Sequence, residues 1–304
     1  MLEFHEDDFI DVEVENVLDH LNNDVLVLDG LHFNTMLEGL SNEMYHSHEA
    51  TSSTQLPLMG LSNTIYDNRK FFQVRKNAYD IGSLIHDAIL LPDLVDKDYI
   101  ECETVGMSTK QADKQREENP DKVVVGQGDI DTAKTRAKLV HLIFGWLLFN
   151  RNTKKEVSFF HKYEAFNVTI RIRPDILNLN WGMLQDFKTT KAENQREFEK
   201  LIEPYNYHVS LAFYFDALVS MGHNMIVERC GWICQSNSEP YLVFGVRITE
   251  ELLEKGRSIY QNRLKDYFEF KQNQAQHGED DINLLFDDLF SYSAHSFEYR
   301  KSNY

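Results

Sequence analysis

Two short runs of this sequence place ionisable groups where they could act together. Asp175 and, eleven positions on, Asp186 and Lys188 lie in segments that alternate apolar and polar residues as β-strands do. From Phe166 to Leu177, Val168, Ile170 and Ile172 should point one way, and Thr169, Arg171, Arg173 and Asp175 the other. From Met183 to Thr189, Leu184, Asp186 and Lys188 should share a face while Phe187 turns into the opposite, apolar layer. Two adjacent strands of this kind offer Asp175, Asp186 and Lys188 to one surface. Carboxylates are the hard oxygen ligands that Mg2+ prefers, with waters and a phosphate filling its octahedron. A neighbouring lysine can steer or help deprotonate an attacking water and offset charge building on a phosphorane. Phosphodiester hydrolysis is the chemistry such a set would serve. A solvated salt-bridge surface would use the same residue types.

Periodicity predicts the elements that must hold these groups. Ile81, Leu84, Ile85, Ala88 and Ile89 recur at helical spacing from Tyr79 to Leu91, Pro92 ends the run, and His86 lies beside the stripe. A second helix, about Ile130 to Phe149, is largely apolar in its latter half and reads as buried. Strands are expected over Val157 to Phe160, Phe166 to Leu177 and Met183 to Thr189. A helical stretch from Ala192 to Met221, interrupted near Pro204, precedes strands near Met225 to Gln235 and Tyr241 to Ile248. A charged helix from Thr249 to about Lys271 closes the core. The order predicts one α/β domain around a mixed sheet. Gly106 to Gly128 and Gln272 to Asp281 read as irregular punctuation, the first as an exposed connection near a substrate channel.

Charge and cysteine content exclude some functions. A net charge of -18 argues against coating nucleic acid by bulk electrostatics, because nonspecific affinity comes from Lys and Arg on phosphates. Much of the acidity is segregated, since Glu3, Glu6, Asp7, Asp8, Asp11, Glu13, Glu15, Asp19, Asp24 and Asp29 occur with no Lys or Arg in the first thirty residues. Cys102, Cys230 and Cys234 are too few for a disulfide framework or a four-cysteine iron–sulfur cluster. No run approaches the roughly 18 apolar residues of a membrane span, and the acidic N-terminus is unlike a signal peptide. A soluble cytoplasmic protein is the expectation.

Longer motifs carry a resemblance. The stretch Gly82 to His86, continuing through Leu91 and Pro92, is similar to the G-x-x-x-H helix of RecB-like and RecE-like (exonuclease VIII) enzymes of the PD-(D/E)XK superfamily. Leu40 to His46 and Thr51 to Leu56 look like the opening of a RecE-type catalytic domain. Arg171 to Asp175, Asp186 to Thr190 and Tyr207 to Tyr214 continue the pattern in order. The likeness spans roughly residues 38 to 250. It implies a restriction-endonuclease-like α/β core with a mixed central sheet flanked by helices. Carried over by position, it makes His86, Asp175 and Asp186 ligands of Mg2+ (or Mn2+), Lys188 the catalytic lysine, and the Phe187 carbonyl a further ligand. It also gives DNA contacts to Thr189, Tyr207, His208 and Tyr214, with Arg171 and Arg173 as local basic groups. Glu156 stands where the family often has an acid at the start of its first core strand, which helix capping or surface pairing explains about as well. Ser210 replaces the glutamine usual three residues after the tyrosine of the Tyr-His pair, leaving the Gln-x-x-x-Tyr contact to DNA incomplete.

The resemblance further implies a phage or prophage enzyme that digests one strand of linear duplex DNA from the 5′ end. The 3′ tail left would serve recombination with a single-strand annealing protein. It implies a homotetrameric ring, in the cytoplasm of a bacterial host. The expected organisation is an acidic extension over 1–37, a nuclease domain over 38–272 and an aromatic tail over 273–304. Two rivals are a RecB-like nuclease module or endonuclease of DNA repair, and a catalytically silent acidic interaction protein.

Overall fold

A computed structural model describes residues 34–69, 78–104, 106, 109–277 and 288. Most of the acidic extension and of the aromatic tail therefore lies outside the described residues. Short helices α1 (Asn42–Ser47), α2 (Leu56–Met59) and α3 (Asn63–Asp67) precede α4 (Ala78–Leu90), which carries His86. Pro92 opens α5 (Pro92–Asp98), where its missing N–H costs nothing. A small parallel pair, β1 (Tyr99–Glu101) and β2 (Val123–Val125), encloses α6 (Lys110–Glu118). Next come α7 (Asp129–Leu148), β3 (Lys154–Lys155), β4 (Phe159–Tyr163), β5 (Val168–Ile172), β6 (Ile176–Asn178) and β7 (Met183–Thr190). The chain continues through α8 (Gln195–Ile202), α9 (Tyr207–Ser220), β8 (Gly231–Ser236), β9 (Val243–Arg247) and α10 (Glu250–His277).

The central sheet is mixed and runs β3-β6-β7-β8-β9. Only the β7–β8 pair is parallel, and a parallel pair needs a long crossover, which α8 and α9 supply. Alternation splits the core into two layers. Leu177, Leu184, Trp232, Cys234 and Val246 pack with α9 and α10 on one side, and Ile176, Phe187 and Ile233 pack with α4 and α7 on the other. Phe187 occupies the apolar layer opposite Asp186 and Lys188, as period two requires.

Four expectations are corrected. The segment Phe166 to Leu177 is not one strand: β5 pairs with β4 in a separate hairpin, and β6 joins the main sheet. Pro174, which has no N–H for a ladder, stands at the break. The segment 106–128 contains α6 and β2, and α10 continues to His277. The fourth is the latter half of α7. Leu142 is 83% exposed, Trp146 61%, Phe149 59% and Ile143 47%, while Ala137, Val140, Leu147 and Leu148 are buried. A helix laid on α4 and a sheet covers one face, so apolar residues on its other face stay in water.

The polar side of β5, which carries Arg171 and, just past its end, Arg173, is closed by residues 34–51. Leu37 bridges to Ser158 and Thr51 to Ile170. Arg171 donates to the carbonyl of His48, and Arg173 donates to Ser158 Oγ (2.8 Å), Asn42 Oδ1 (2.7 Å) and the Leu40 carbonyl (2.8 Å). Both guanidinium groups stack on Tyr45, 5.1 and 4.0 Å from its ring centroid. Arg171 is 1% and Arg173 8% exposed. Arg173→Ala should therefore cost about 3 kcal/mol or more, because three acceptors lose a charged donor. Denaturant unfolding measures the loss, and Arg173→Lys should recover only part of it, since Lys lacks the planar fork.

Candidate active site

Each element delivers its functional group for a local reason. In α4, burial of Leu84, Ile85, Ala88 and Ile89 against Phe187 and Ile176 fixes the helix face, and His86 projects beside that face with its ring centroid 6.2 Å from the Phe187 ring. Asp175 follows Pro174 in the turn between β5 and β6, where its Oδ2 accepts from the Phe187 N–H at 2.6 Å. Glu156, after β3, has φ +55°, a conformation few non-glycine residues adopt, and its N–H binds the Asp175 carbonyl at 3.3 Å. Asp186 and Lys188 share one face of β7, and Lys188 Nζ lies 2.5 Å from Asp186 Oδ2.

These groups converge. His86 Nε2 is 3.3 Å from Asp175 Oδ2 and 3.5 Å from Glu156 Oε1. One ligand atom from each of His86, Glu156 and Asp175 falls within 4.8 Å of the others. The second ring nitrogen, Nδ1, faces Asp87 Oδ1 at 3.8 Å, and Asp87 is itself held by the Tyr99 hydroxyl at 2.7 Å. Lys188 Nζ sits 5.4 Å from the centroid of the Tyr207 ring.

The electrostatics are those of crowded acids. Burial and the charge of Asp175 push Glu156 up to about 8 against the pull of His86. Burial and Asp175 likewise raise Asp186 to about 6, although Lys188 opposes them. Burial also opposes charge on Asp175, but His86, Lys188 and the Phe187 N–H outweigh it and bring the group to about 2. His86 resists burial through Asp175, Asp87 and Glu156 and is held well above its ordinary value. Lys188 is raised in the same way, its burial outweighed by Asp186 and Asp175. Three carboxylates around one imidazole and one ammonium suit a hard divalent cation, which takes oxygen readily and accepts a nitrogen. His86, Glu156, Asp175 and Asp186 are the residues that would hold it.

Other expected contacts are distributed differently. Arg171 and Arg173 are spent on carbonyls and side chains of residues 40–48 and 158, so the expectation that they face phosphates is corrected. His208 is 1% exposed, because Gly256 lets α10 approach until a Cβ there would lie 2.3 Å from the His208 carbonyl oxygen; it too cannot present its ring to DNA. Thr189 lies on the Phe187 face of β7, away from Lys188. Tyr207 and Tyr214 do border the site: burial raises the Tyr214 phenol, and Asp186, Asp175 and Glu156 raise it further. Glu156 is the residue the sequence left undecided, because nothing in the residue types around it announces a left-handed backbone. Asp87 carried no signal beyond adjacency to His86, and Tyr99 carried none.

Linkage gives a testable slope. A carboxyl raised on folding costs stability as it ionises, so Asp186 and Glu156 lower stability as pH rises from about 4 to about 8. A histidine raised on folding stabilises most below its unfolded value of 6.5, and that contribution is lost as pH climbs through the folded one. The signs agree, so metal-free protein should unfold more easily at pH 8 than at pH 5. Glu156→Gln should flatten this trend, and a Tm profile that rises with pH in both proteins would refute the crowding. Adding a divalent cation at pH 8 should raise Tm in wild type by mass action.

A family model described as a PDDEXK-like domain of unknown function (DUF3799) matches residues 65–281. No curated protein matches this chain. Among solved structures, a protein from Eubacterium rectale whose crystal structure carries a provisional exonuclease assignment covers 76% of this chain and 86% of its own. Its sequence identity is 12% and its TM-score 0.51, a likeness of fold. The mixed sheet, the two helical layers and the residues gathered at the Pro174 break all fall within the matched span. This chain thus belongs to the family of PDDEXK-like domains of unknown function.

Proposed function

We propose that the chain is a Mg2+-dependent 5′-to-3′ exodeoxyribonuclease of the RecE type that acts on linear duplex DNA. Its product, a duplex with a 3′ single-stranded tail, would pass to a single-strand annealing protein in the cytoplasm of a bacterial host of phage or prophage. The observation that carries the reading is the convergence of His86, Glu156 and Asp175 within 4.8 Å beside the Asp186–Lys188 pair. The order of RecE-like motifs along the chain favours an exonuclease over an endonuclease, and the provisional assignment of the Eubacterium rectale protein points the same way.

When bound, the cation supplies charge neutralisation at the scissile phosphate and a lowered pKa for the attacking water. The chain's own groups do the rest. Asp175, fixed by the Phe187 N–H, and Glu156, fixed by its backbone bond to Asp175, hold their carboxylates before substrate arrives, which lowers reorganisation. The Phe187 carbonyl would add one neutral oxygen. Lys188 is strongly held in its charged form, so it enters as a cation that offsets phosphorane charge and orients water, and not as the base. Tyr207 below Lys188 and Tyr214 beside the carboxylates would position the terminal nucleotides.

Asp186→Ala and Lys188→Ala should each lower Mg2+-dependent nucleotide release by about 100-fold or more, the scale of removing a group that meets developing charge. Asp186→Ala should leave Tm equal or higher, because it removes one of the repelling acids. More than about a tenth of wild-type activity in either variant, well above the loss expected of such a group, would remove that residue from the chemistry. His86→Ala should weaken metal binding and be partly rescued by Mn2+, which takes nitrogen more readily.

Covalently closed circular duplex should survive conditions that degrade the linear form. Cleavage of the circle would instead make this an endonuclease, and no cleavage of either would leave a silent acidic interaction protein. The assembly proposed is a closed homotetrameric ring that retains duplex by encirclement. With Arg171 and Arg173 withdrawn, Lys188 and Lys191 remain of the four basic groups in or just after β5 and β7, so a single subunit would hold phosphates poorly. A monomeric mass in solution, or dissociation from long duplex at modest salt, would remove the ring.

A further inference from the structure

The exposed face of α7 presents Leu142, Trp146 and Phe149 at the i, i+4, i+7 spacing of one helical stripe, with Ile143 beside it. Trp181 extends the surface, its ring centroid 6.1 Å from that of Trp146. Isolated exposed apolar residues are ordinary, but a contiguous aromatic and aliphatic stripe marks an interaction surface. Its charge setting identifies the occupant. Residues 132–155 contain no Asp or Glu, in a chain whose net charge is -18, and they hold Lys134, Arg136, Lys138, Arg151, Lys154 and Lys155. Lys134 pairs with Asp96, Arg136 binds Gln235 and Lys154 pairs with Glu38. Lys138 stands one turn before Leu142, Arg151 two residues beyond Phe149, and Lys155 Nζ 5.6 Å from the centroid of the Phe149 ring. The stripe is therefore apolar and framed by cations. Apposing two copies of it would set like charges face to face, which disfavours the same surface of a second molecule as its cover.

The complementary pattern occurs in the same chain. Ile10, Val14, Val17, Leu18 and Leu21 fall at i, i+4, i+7, i+8 and i+11, the spacing of one helix face. Asp8, Asp11, Glu15 and Asp19 fall to the other side, and the first thirty residues contain no Lys or Arg. The described chain begins beside the target: Leu37 bridges to Ser158, and Glu38 pairs with Lys154, next to the lysine that covers Phe149. Thirteen steps from Leu21 to Asn34 span up to roughly 40 Å when extended. The stripe from Leu142 to Phe149 is only about 10 Å long at 1.5 Å per residue, a quarter of that extended length.

We propose that residues 10–21 of the chain dock as an amphipathic helix on the Leu142–Trp146–Phe149 face of its own α7. The apolar positions cover the stripe, and the acidic positions meet Lys138, Arg151 and Lys155. This docking places the acidic extension on the back of the α4–α7 layer, where its charge is neutralised locally.

The test uses the full chain and a double variant, Val17→Asp with Leu18→Asp, which lies outside the family match and leaves every site residue intact. Acrylamide quenching and emission wavelength of Trp146, isolated as the difference from the same proteins carrying Trp146→Phe, read the cover directly. The double variant should show a red shift and stronger quenching of Trp146. High salt should move wild type part of the way, since screening weakens the cationic frame. Equal quenching in wild type and variant would overturn the docking. Sedimentation at the same concentration decides the source: an unchanged mass keeps the contact within one chain, whereas a drop in the variant assigns it to a second copy and overturns the proposal as stated.

Discussion

Mutual repulsion among acids is the constraint on which this structure turns. Glu156, Asp175 and Asp186, with Asp87 behind them, surround one imidazole and one ammonium, and burial denies them the solvent that would screen the charges. The group does not relax toward neutrality uniformly. Asp175, with a backbone N–H, His86 and Lys188 at hand, keeps its charge, and the cost is displaced to Glu156 and Asp186. Such an arrangement stores a demand for positive charge at one point, which is what a phosphate-processing site has to offer a cation before it offers anything to a polyanion. Substituting apolar residues would relieve the repulsion and remove the candidate metal ligands with it, the trade of stability expected at a functional site.

Holding the acids together takes a frame that does not yield. Pro174 ends the β5 ladder and lets Asp175 leave one sheet and meet the next, while a left-handed Glu156 turns its side chain toward the same point. Arg171 and Arg173 then lock residues 40–48 over β5 through hydrogen bonds and the Tyr45 ring. The guanidinium groups thus act through packing, one layer behind the carboxylates. Arg173 still contributes to the field at Glu156, lowering the cost of its charge. On the opposite layer, Phe187 anchors β7 under α4 and carries both the N–H that fixes Asp175 and the ring that flanks His86.

Much of this was legible in residue order, for physical reasons that differ by element. The runs around α4 and β7 have strong single-period patterns, and the opposed placement of Phe187 against Asp186 and Lys188 follows from period two alone. Asp175, Asp186 and Lys188 could be brought to one surface because Asp175 immediately precedes β6, which pairs with the β7 strand that carries the other two. Periodicity failed where composition is uniform or the backbone unusual. In α7 the latter half is apolar on nearly every side, so its sequence does not identify the buried face and the whole half reads as buried. Alternation put Arg171 and Arg173 on a polar face correctly. It could not reveal that a distant segment, residues 34–51, returns to cover that face, because such a contact is non-local. Glu156 needed a backbone conformation that residue type does not encode.

An acidic protein that acts on a polyanion must separate its charges, and this chain separates them at three scales. Within the site, Lys188 and His86 stand against the acids at hydrogen-bond distance, where the low dielectric makes each pairing count. Over residues 132–155 six bases occur without an acid, while the first thirty residues hold ten acids without a base. Over the whole chain the excess remains -18, which repels a distant duplex and which salt screens beyond about 10 Å. Approach from solution is consequently unfavourable at long range, and attraction is confined to contacts shorter than a Debye length. On the exonuclease function proposed above, binding would have to come from geometry that keeps a strand end within that distance, through enclosure and stacking on Tyr207 and Tyr214, and not from a broad positive surface.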